Sequence, residues 1–373
     1  MRINFVITEL FVGGAERCLT ELAIGLAEAG DDVHVFSIGS LPQGEKRLLV
    51  DRLEAAGIPV ESGNADSSLK SWSVYRQLNR WFVDTQPKIC QTFMFHANVL
   101  GTQAAIASGV PIRVGGLRVA EARSLRCRLE RRAVRRMESL VCVSAEVQAF
   151  AEEKLGCSRA SSVVIPNGVD VTRFATARPQ SWSSIGWPDD AIVSLFVGRL
   201  HPQKGIDLLQ KQIDVLAPKG SNRRLLIVGD GPLSKDIECW IARTGDERVK
   251  RLPWQADIAP LMKACRVLIL PSRYEGMPNV VLEAMAAGRP VVCSRVEGSR
   301  ELLKHAWESQ TFPSGDDQAM KNLAEQVLSD EIQADELGCD NQSRVRIDFS
   351  IAAMVDAYRS HYRTLLTRRL DSL

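Results

Sequence analysis

The chain has 373 residues, 45% of them hydrophobic and 25% charged, with a formal net charge of +2 at pH 7. That length and apolar content supply two cores rather than one, and the near-neutral balance argues against a dedicated nucleic-acid binder. Nine cysteines form no C-x-x-C pair and sit mostly in apolar runs such as Leu-Val-Cys142-Val and Val-Val-Cys293, the pattern of buried thiols in a reducing compartment rather than of a disulfide framework or zinc site.

In chain order, residues 3–7 read as a first strand. This apolar run is too short for a signal-peptide core and ends at Thr8-Glu9. No stretch approaches the roughly 18 apolar residues of a membrane span, so the expected location is the cytoplasm or the cytosolic face of the plasma membrane. Gly13 and Gly14 precede a helix carrying Leu19, Leu22, Ala23 and Leu26 on one face and stopping at Gly30. Strands follow at 33–37, 88–93, 112–114, 139–143 and 162–165, with a helix at 45–56. Pro166-Asn167-Gly168 is turn chemistry, and residues 179–188 are rich in Ser, Trp, Gly and Pro. A second strand–helix series then begins at 191–197 and continues through strands near 224–228, 248–252, 267–270 and 290–293. Residues 349–366 are helical, with Ile351, Met354, Val355, Tyr358, Tyr362 and Leu365 near one face. The same order started twice predicts an α/β protein of two Rossmann-like, doubly wound parallel sheets. The expected domains are 1–175 and 176–348, with 349–373 crossing back toward the first.

Open parallel sheets bind ligands at the carboxyl ends of their strands, and the unusual residues cluster there. Glu275 follows the 267–270 strand. Pro278 and Asn279 then start a helix at 280–287 that Gly288 closes. The free amides and partial positive charge of such a helix start suit a diphosphate. Glu283, about one turn inside, can accept two hydrogen bonds from a ribose diol. Read alone, Glu283 is equally a dipole-complementing acid and Glu275 an exposed loop residue. Arg199 and Lys204 leave the loop after the 191–197 strand, where two cations can neutralise a departing diphosphate. Lys204 taken singly reads as a solvated lysine.

Together Gly13-Gly14-Ala15-Glu16, Ile165-Pro166-Asn167-Gly168-Val169-Asp170, Gly198-Arg199-Leu200 with Lys204-Gly205, and the E-x7-E pair Glu275 and Glu283 resemble glycosyltransferase family 4. The resemblance implies the GT-B fold, two such domains facing a cleft, with a retaining enzyme that binds its nucleotide-sugar in the C-terminal domain and its acceptor in the N-terminal one. It implies a hexose-type sugar moved from a UDP- or GDP-sugar to a saccharide or lipid-linked saccharide, in cell-envelope or exopolysaccharide synthesis. No cofactor is implied, since the nucleotide-sugar is a substrate. By position, Arg199 and Lys204 bind the donor phosphates, Glu283 the ribose and Glu275 the transferring sugar. Gly276, Met277, Pro278, Asn279 and Val280 help hold diphosphate and sugar, Leu252 lies where relatives hold the base, and Gly14 lets the N-domain loop approach the phosphates. Gly14 reads equally as a tight strand–helix turn. His96, ending the 88–93 strand region, matches a histidine that faces the donor sugar in relatives; His201 and His34 read as structural.

There is no D-x-D motif to hold a metal on the diphosphate, so Arg199, Lys204 and the helix start are expected to supply the positive charge without one. Residues 113–136 carry Arg113, Arg118, Arg123, Arg126, Arg128, Arg131, Arg132, Arg135 and Arg136 against Glu121 and Glu130. Leu125, Leu129, Ala133 and Val134 interleave at helical spacing. This basic helix reads as a dock for an anionic membrane, a solvated face, or a patch for an anionic acceptor. Rival readings are a dehydrogenase, for which Gly229-Asp230-Gly231-Pro232-Leu233-Ser234 lacks the third glycine, a nucleotide-sugar epimerase, and a scaffold without catalysis.

Overall fold

The computed structural model describes residues 1–65, 71–121 and 124–371. The chain divides into two compact units, Met1–Gly168 with Ile351–Leu373, and Val169–Ser350. The division falls at 168/169 rather than 175/176 for a local reason. Asp170 caps the Val171–Ala175 helix, and that helix packs on the helices Asn279–Ala286 and Ala259–Ala264.

Among the described residues the first unit holds seven strands: β1 (Arg2–Ile7), β2 (Asp32–Ser37), β3 (Val60–Ser62), β4 (Ile89–Phe93), β5 (Ile112–Leu117), β6 (Ser139–Cys142) and β7 (Ser162–Val164), in the order β3-β2-β1-β4-β5-β6-β7. The second holds β8 (Ile192–Val197), β9 (Arg223–Val228), β10 (Val249–Leu252), β11 (Val267–Leu270), β12 (Val291–Ser294) and β13 (Thr311–Phe312), in the order β10-β9-β8-β11-β12-β13. Every pairing is parallel. Strands covered on both faces read as continuous apolar runs, and Val267 to Leu270 are all fully buried. In each sheet the winding reverses beside the first strand, between β1 and β4 and between β8 and β11. Those two switch points are where loops part and leave room for a ligand.

The Ile351–Asp371 helix belongs to the first unit and lies on the Gly14–Glu28 helix. The approach is close enough that a Cβ on Gly25 would meet Val355 Cγ2 at 2.5 Å. Met354, Val355, Tyr358, Tyr362 and Leu365 are buried on that face. Arg118, at the end of β5, is also buried, and its guanidinium donates to Asn167 Oδ1 (2.7 Å) and to the Tyr358 hydroxyl (2.7 Å) while lying over the Phe93 ring. It therefore fastens the chain where it leaves the first unit to the helix with which it returns, and it is no part of a basic surface.

Six of the cysteines are buried, as expected, but Cys239 and Cys339 are exposed and Cys127 is half-buried. Burial pushes the Cys142, Cys265 and Cys293 thiols up to about 12. No helix among the described residues is long and apolar enough to cross a membrane.

Candidate active site

In the second unit the loops after β8 and β11 meet at the switch point. The β8 loop runs from Gly198 through a short turn, Pro202–Lys204, started by His201, whose Nδ1 accepts the Gln203 amide at 3.2 Å. His201 is thus a turn-capping residue. Gly205 has φ +65°, and a Cβ there would lie 1.9 Å from the Pro271 carbonyl oxygen. Only glycine permits that contact between the loops. Further bonds join them, among them one from the Arg273 guanidinium to the Pro202 carbonyl. The Arg273 amide donates to the Gln203 carbonyl (2.8 Å), Gln203 Nε2 donates to the Tyr274 carbonyl (2.9 Å), and Arg273 pairs with Asp207 (2.8 Å).

This stitching brings Lys204 onto Glu275. Lys204 Nζ donates to Glu275 Oε1 at 2.5 Å, with the two side chains 18% and 10% exposed, and the Ser272 hydroxyl donates to the same oxygen at 2.7 Å. Both donors load one carboxylate oxygen and leave Oε2 for another partner. An ammonium carries three donors, so Lys204 keeps capacity beyond Glu275. The exposed-loop reading of Glu275 is corrected, since the residue is 8% exposed. Lys204 is not solvated either. Arg199 is exposed, and among the described residues its guanidinium makes no hydrogen bond or ion pair.

The Asn279–Ala286 helix starts right after this loop, with Pro278 as its cap residue. Gly276, Met277 and Pro278 are buried, Asn279 and Val280 half-buried, and Glu283 lies one turn in at 7% exposure. Leu252 ends β10, two strands from β8, and its carbonyl accepts the Gly229 amide (3.0 Å). The loop beyond it is tied to Asp230, which accepts the Trp254 amide (3.0 Å) and pairs with Arg251. The sequence reading missed Ser272, Gln203, Arg273 and Asp207. They carry no motif and act only because two loops distant in sequence converge.

In the first unit Gly14 opens the Gly14–Glu28 helix after β1, with Gly13 as cap residue. Glu16, in the first turn, is 7% exposed and its carboxylate folds back over Gly13, where a Cβ would sit 2.3 Å from Oε2. Burial pushes the Glu16 carboxyl up to about 7, against the lowering effect of its own backbone amide. His96 follows β4 and is exposed. Partial burial, then nearby Arg126, hold its imidazole below the usual value. Phe95 stands between them, with Arg126 4.8 Å above its ring and His96 against its edge at 5.1 Å. Beside it Asn98 donates to Glu130 Oε1 (2.8 Å) and to the Gly116 carbonyl (3.1 Å).

The basic helix spans Ser124–Val134, and Arg123 lies outside the described residues. Its amphipathicity differs from the expected one. Glu130, Ala133 and Val134 are buried, whereas Leu125 and Leu129 are 63% and 36% exposed. Arg113 pairs with Glu138 and Arg126 with Glu121, and Arg136 bonds Gln103. Arg128, Arg131, Arg132 and Arg135 remain exposed, with no ion pair among the described residues.

Residues 12–173 match the model of Glycosyltransferase Family 4, and residues 191–330 that of Glycosyl transferases group 1. Curated relatives include the Escherichia coli UDP-Gal:alpha-D-GlcNAc-diphosphoundecaprenol alpha-1,3-galactosyltransferase, 26% identical over 80% of this chain and 79% of that one. The phosphatidyl-myo-inositol mannosyltransferase of Mycobacterium leprae is 26% identical over 95% of this chain and 94% of its own. The crystal structure of Anabaena HepE in complex with UDP-glucose shares the fold, with a TM-score of 0.84 and 21% identity over 98% of this chain and 100% of that one. Two parallel sheets of the same winding, each half matched by its own model in order, show that the chain belongs to glycosyltransferase family 4 and has the GT-B architecture.

Proposed function

We propose that the chain is a retaining hexosyltransferase that takes its sugar from a UDP-sugar and passes it to a saccharide or lipid-linked saccharide in cell-envelope or exopolysaccharide synthesis. The observation that carries this reading is the pairing of Lys204 with Glu275 at 2.5 Å, at a switch point, directly before the start of the Asn279–Ala286 helix. One end of that arrangement offers cations and amides, and the other a carboxylate oxygen. This is what a diphosphate joined to a hydroxyl-rich ring requires. UDP is favoured over GDP because the E. coli relative is named for UDP-Gal and the Anabaena structure holds UDP-glucose.

In this reading Arg199 and the remaining donors of Lys204 take the charge that builds on the diphosphate as the glycosyl bond breaks. The first-turn amides from Met277 to Val280 share that charge, so no divalent metal is required. Glu283 holds the ribose diol and Oε2 of Glu275 the sugar hydroxyls. The departing phosphate accepts the acceptor's proton on the face it leaves, which retains configuration. His96 in its neutral form serves as a hydrogen-bonding partner. Leu125 and Leu129, flanked by Arg128, Arg131, Arg132 and Arg135, support docking on an anionic membrane on the cytosolic side.

Incubation with UDP-sugars alone and then with acceptor tests the assignment. Slow hydrolysis alone and glycosyl transfer on adding acceptor are expected. Conversion of the sugar without acceptor makes the chain an epimerase, and no reaction in either case makes it a scaffold.

A further inference from the structure

Glu275 is held from a third direction that the donor-site reading does not use. After β12 the chain turns through Ser294–Gly298, with the Val296 amide on the Ser294 carbonyl (2.9 Å) and the Ser299 amide on Val296 (3.1 Å). This turn braces the β11 loop at three points. The Ser294 hydroxyl, fully buried, donates to the Ser272 carbonyl. Gly298, at φ +77°, lies so close that a Cβ would stand 2.6 Å from the Gly276 carbonyl oxygen. Between them, Glu297 Oε2 accepts the backbone amide of Glu275 at 3.1 Å.

Glu275 lies outside any helix or strand, so no ladder satisfies its amide, and an unmet donor in a buried residue is costly. Lys204 and Ser272 fix the carboxylate end of the residue; Glu297 fixes the backbone end. With both ends set, the rotamer that leaves Oε2 available is over-determined. We propose that Glu297 is a positioning residue for sugar recognition, acting through the Glu275 amide and not by contact with the donor. This rests on the assignment of Glu275 to the sugar.

A glutamine at 297 can still accept the amide, whereas alanine cannot, which separates hydrogen-bond geometry from charge. In the ligand-free protein, amide exchange across residues 270–280 should quicken about tenfold or more in Glu297→Ala and stay within about threefold of wild type in Glu297→Gln. Calorimetry with UDP and UDP-glucose should then show Glu297→Ala losing the affinity difference between the two while keeping its affinity for UDP, and Glu297→Gln recovering it. Glu275→Ala is the control. If it leaves the UDP-glucose preference intact, the sugar assignment itself fails. If it abolishes the preference while Glu297→Ala does not, or if Glu297→Gln is as impaired as Glu297→Ala, the positioning role is wrong.

Discussion

The ion pair between Lys204 and Glu275 yields the sharpest energetic prediction. Its side chains are 18% and 10% exposed, so water screens it poorly. Removing one partner of a buried pair typically costs about 3–5 kcal/mol, because the other charge is stranded. In Lys204→Met the Ser272 hydroxyl still reaches Glu275 Oε1, which places the expected loss near the lower end, about 3 kcal/mol. Glu275→Gln keeps an oxygen for Ser272 but strands the ammonium, with a loss of similar size. The double variant strands neither charge, so its loss should fall short of the sum by about 2 kcal/mol. Urea unfolding followed by tryptophan fluorescence reads this well. Trp182, Trp187, Trp240, Trp254 and Trp307, five of the seven tryptophans, lie in the second unit. Losses that add within about 0.5 kcal/mol would mean the pair is not formed in solution, and the convergence of the β8 and β11 loops on Glu275 would be wrong.

Glu16 gives a pH dependence. Its folded carboxyl titrates at about 7 instead of 4.5, so the folded state binds its proton more tightly than the unfolded state. Stability should fall as pH rises from about 4.5 to 7 and level off above, by roughly 3 kcal/mol at about 1.4 per unit. Glu16→Gln should therefore melt higher than wild type at pH 8 and equal it near pH 4.5; an equal gap at both pH values refutes the burial argument. Reversing Arg128, Arg131, Arg132 and Arg135 to Glu should release the protein from anionic liposomes, as should high salt, and binding unchanged by reversal defeats the docking reading. Transfer activity should survive EDTA, and a strict need for manganese or magnesium would overturn the assignment of diphosphate charge to Arg199, Lys204 and the helix start.

The fold was largely legible because parallel strands buried on both faces leave apolar runs such as Val267 to Leu270. β3 and β13 escaped notice. They have three and two residues, too few for any periodicity. The Ser71–Thr85 helix and the paired helices Asp317–Ser329 and Glu331–Asp348 were also missed. The last carries apolar residues on two sides, Ile332 and Ile347 outward and Ala334 and Val345 inward, which blurs the helical stripe. At the carboxyl ends of β8 and β11, spacing and resemblance single out Arg199, Lys204, Glu275 and Glu283 as candidates. That Lys204 grips Glu275 could not be read this way, because the contact depends on the close approach of two loops at Gly205, where a Cβ would stand 1.9 Å from the Pro271 carbonyl oxygen. The burial pattern of the basic helix was not legible for a related reason. Spacing gives a stripe of leucines and arginines but not which side the segments Ala97–Gly101 and Ala151–Leu155 cover, and Glu130, bonded to Asn98, is buried while Leu125 and Leu129 are exposed.

The proposed function requires the loops after β8 and β11 to hold a nucleoside diphosphate, with Glu275 set apart for the sugar. The decisive measurement is calorimetric titration of UDP into the wild type and the variants Arg199→Ala, Glu283→Ala and Glu275→Ala. Loss of a charged contact to diphosphate or ribose should weaken UDP about tenfold or more in the first two. Glu275→Ala, which leaves Lys204 to the diphosphate, should stay within about threefold of wild type. UDP affinity abolished by Glu275→Ala and untouched by Glu283→Ala and Arg199→Ala would contradict the account.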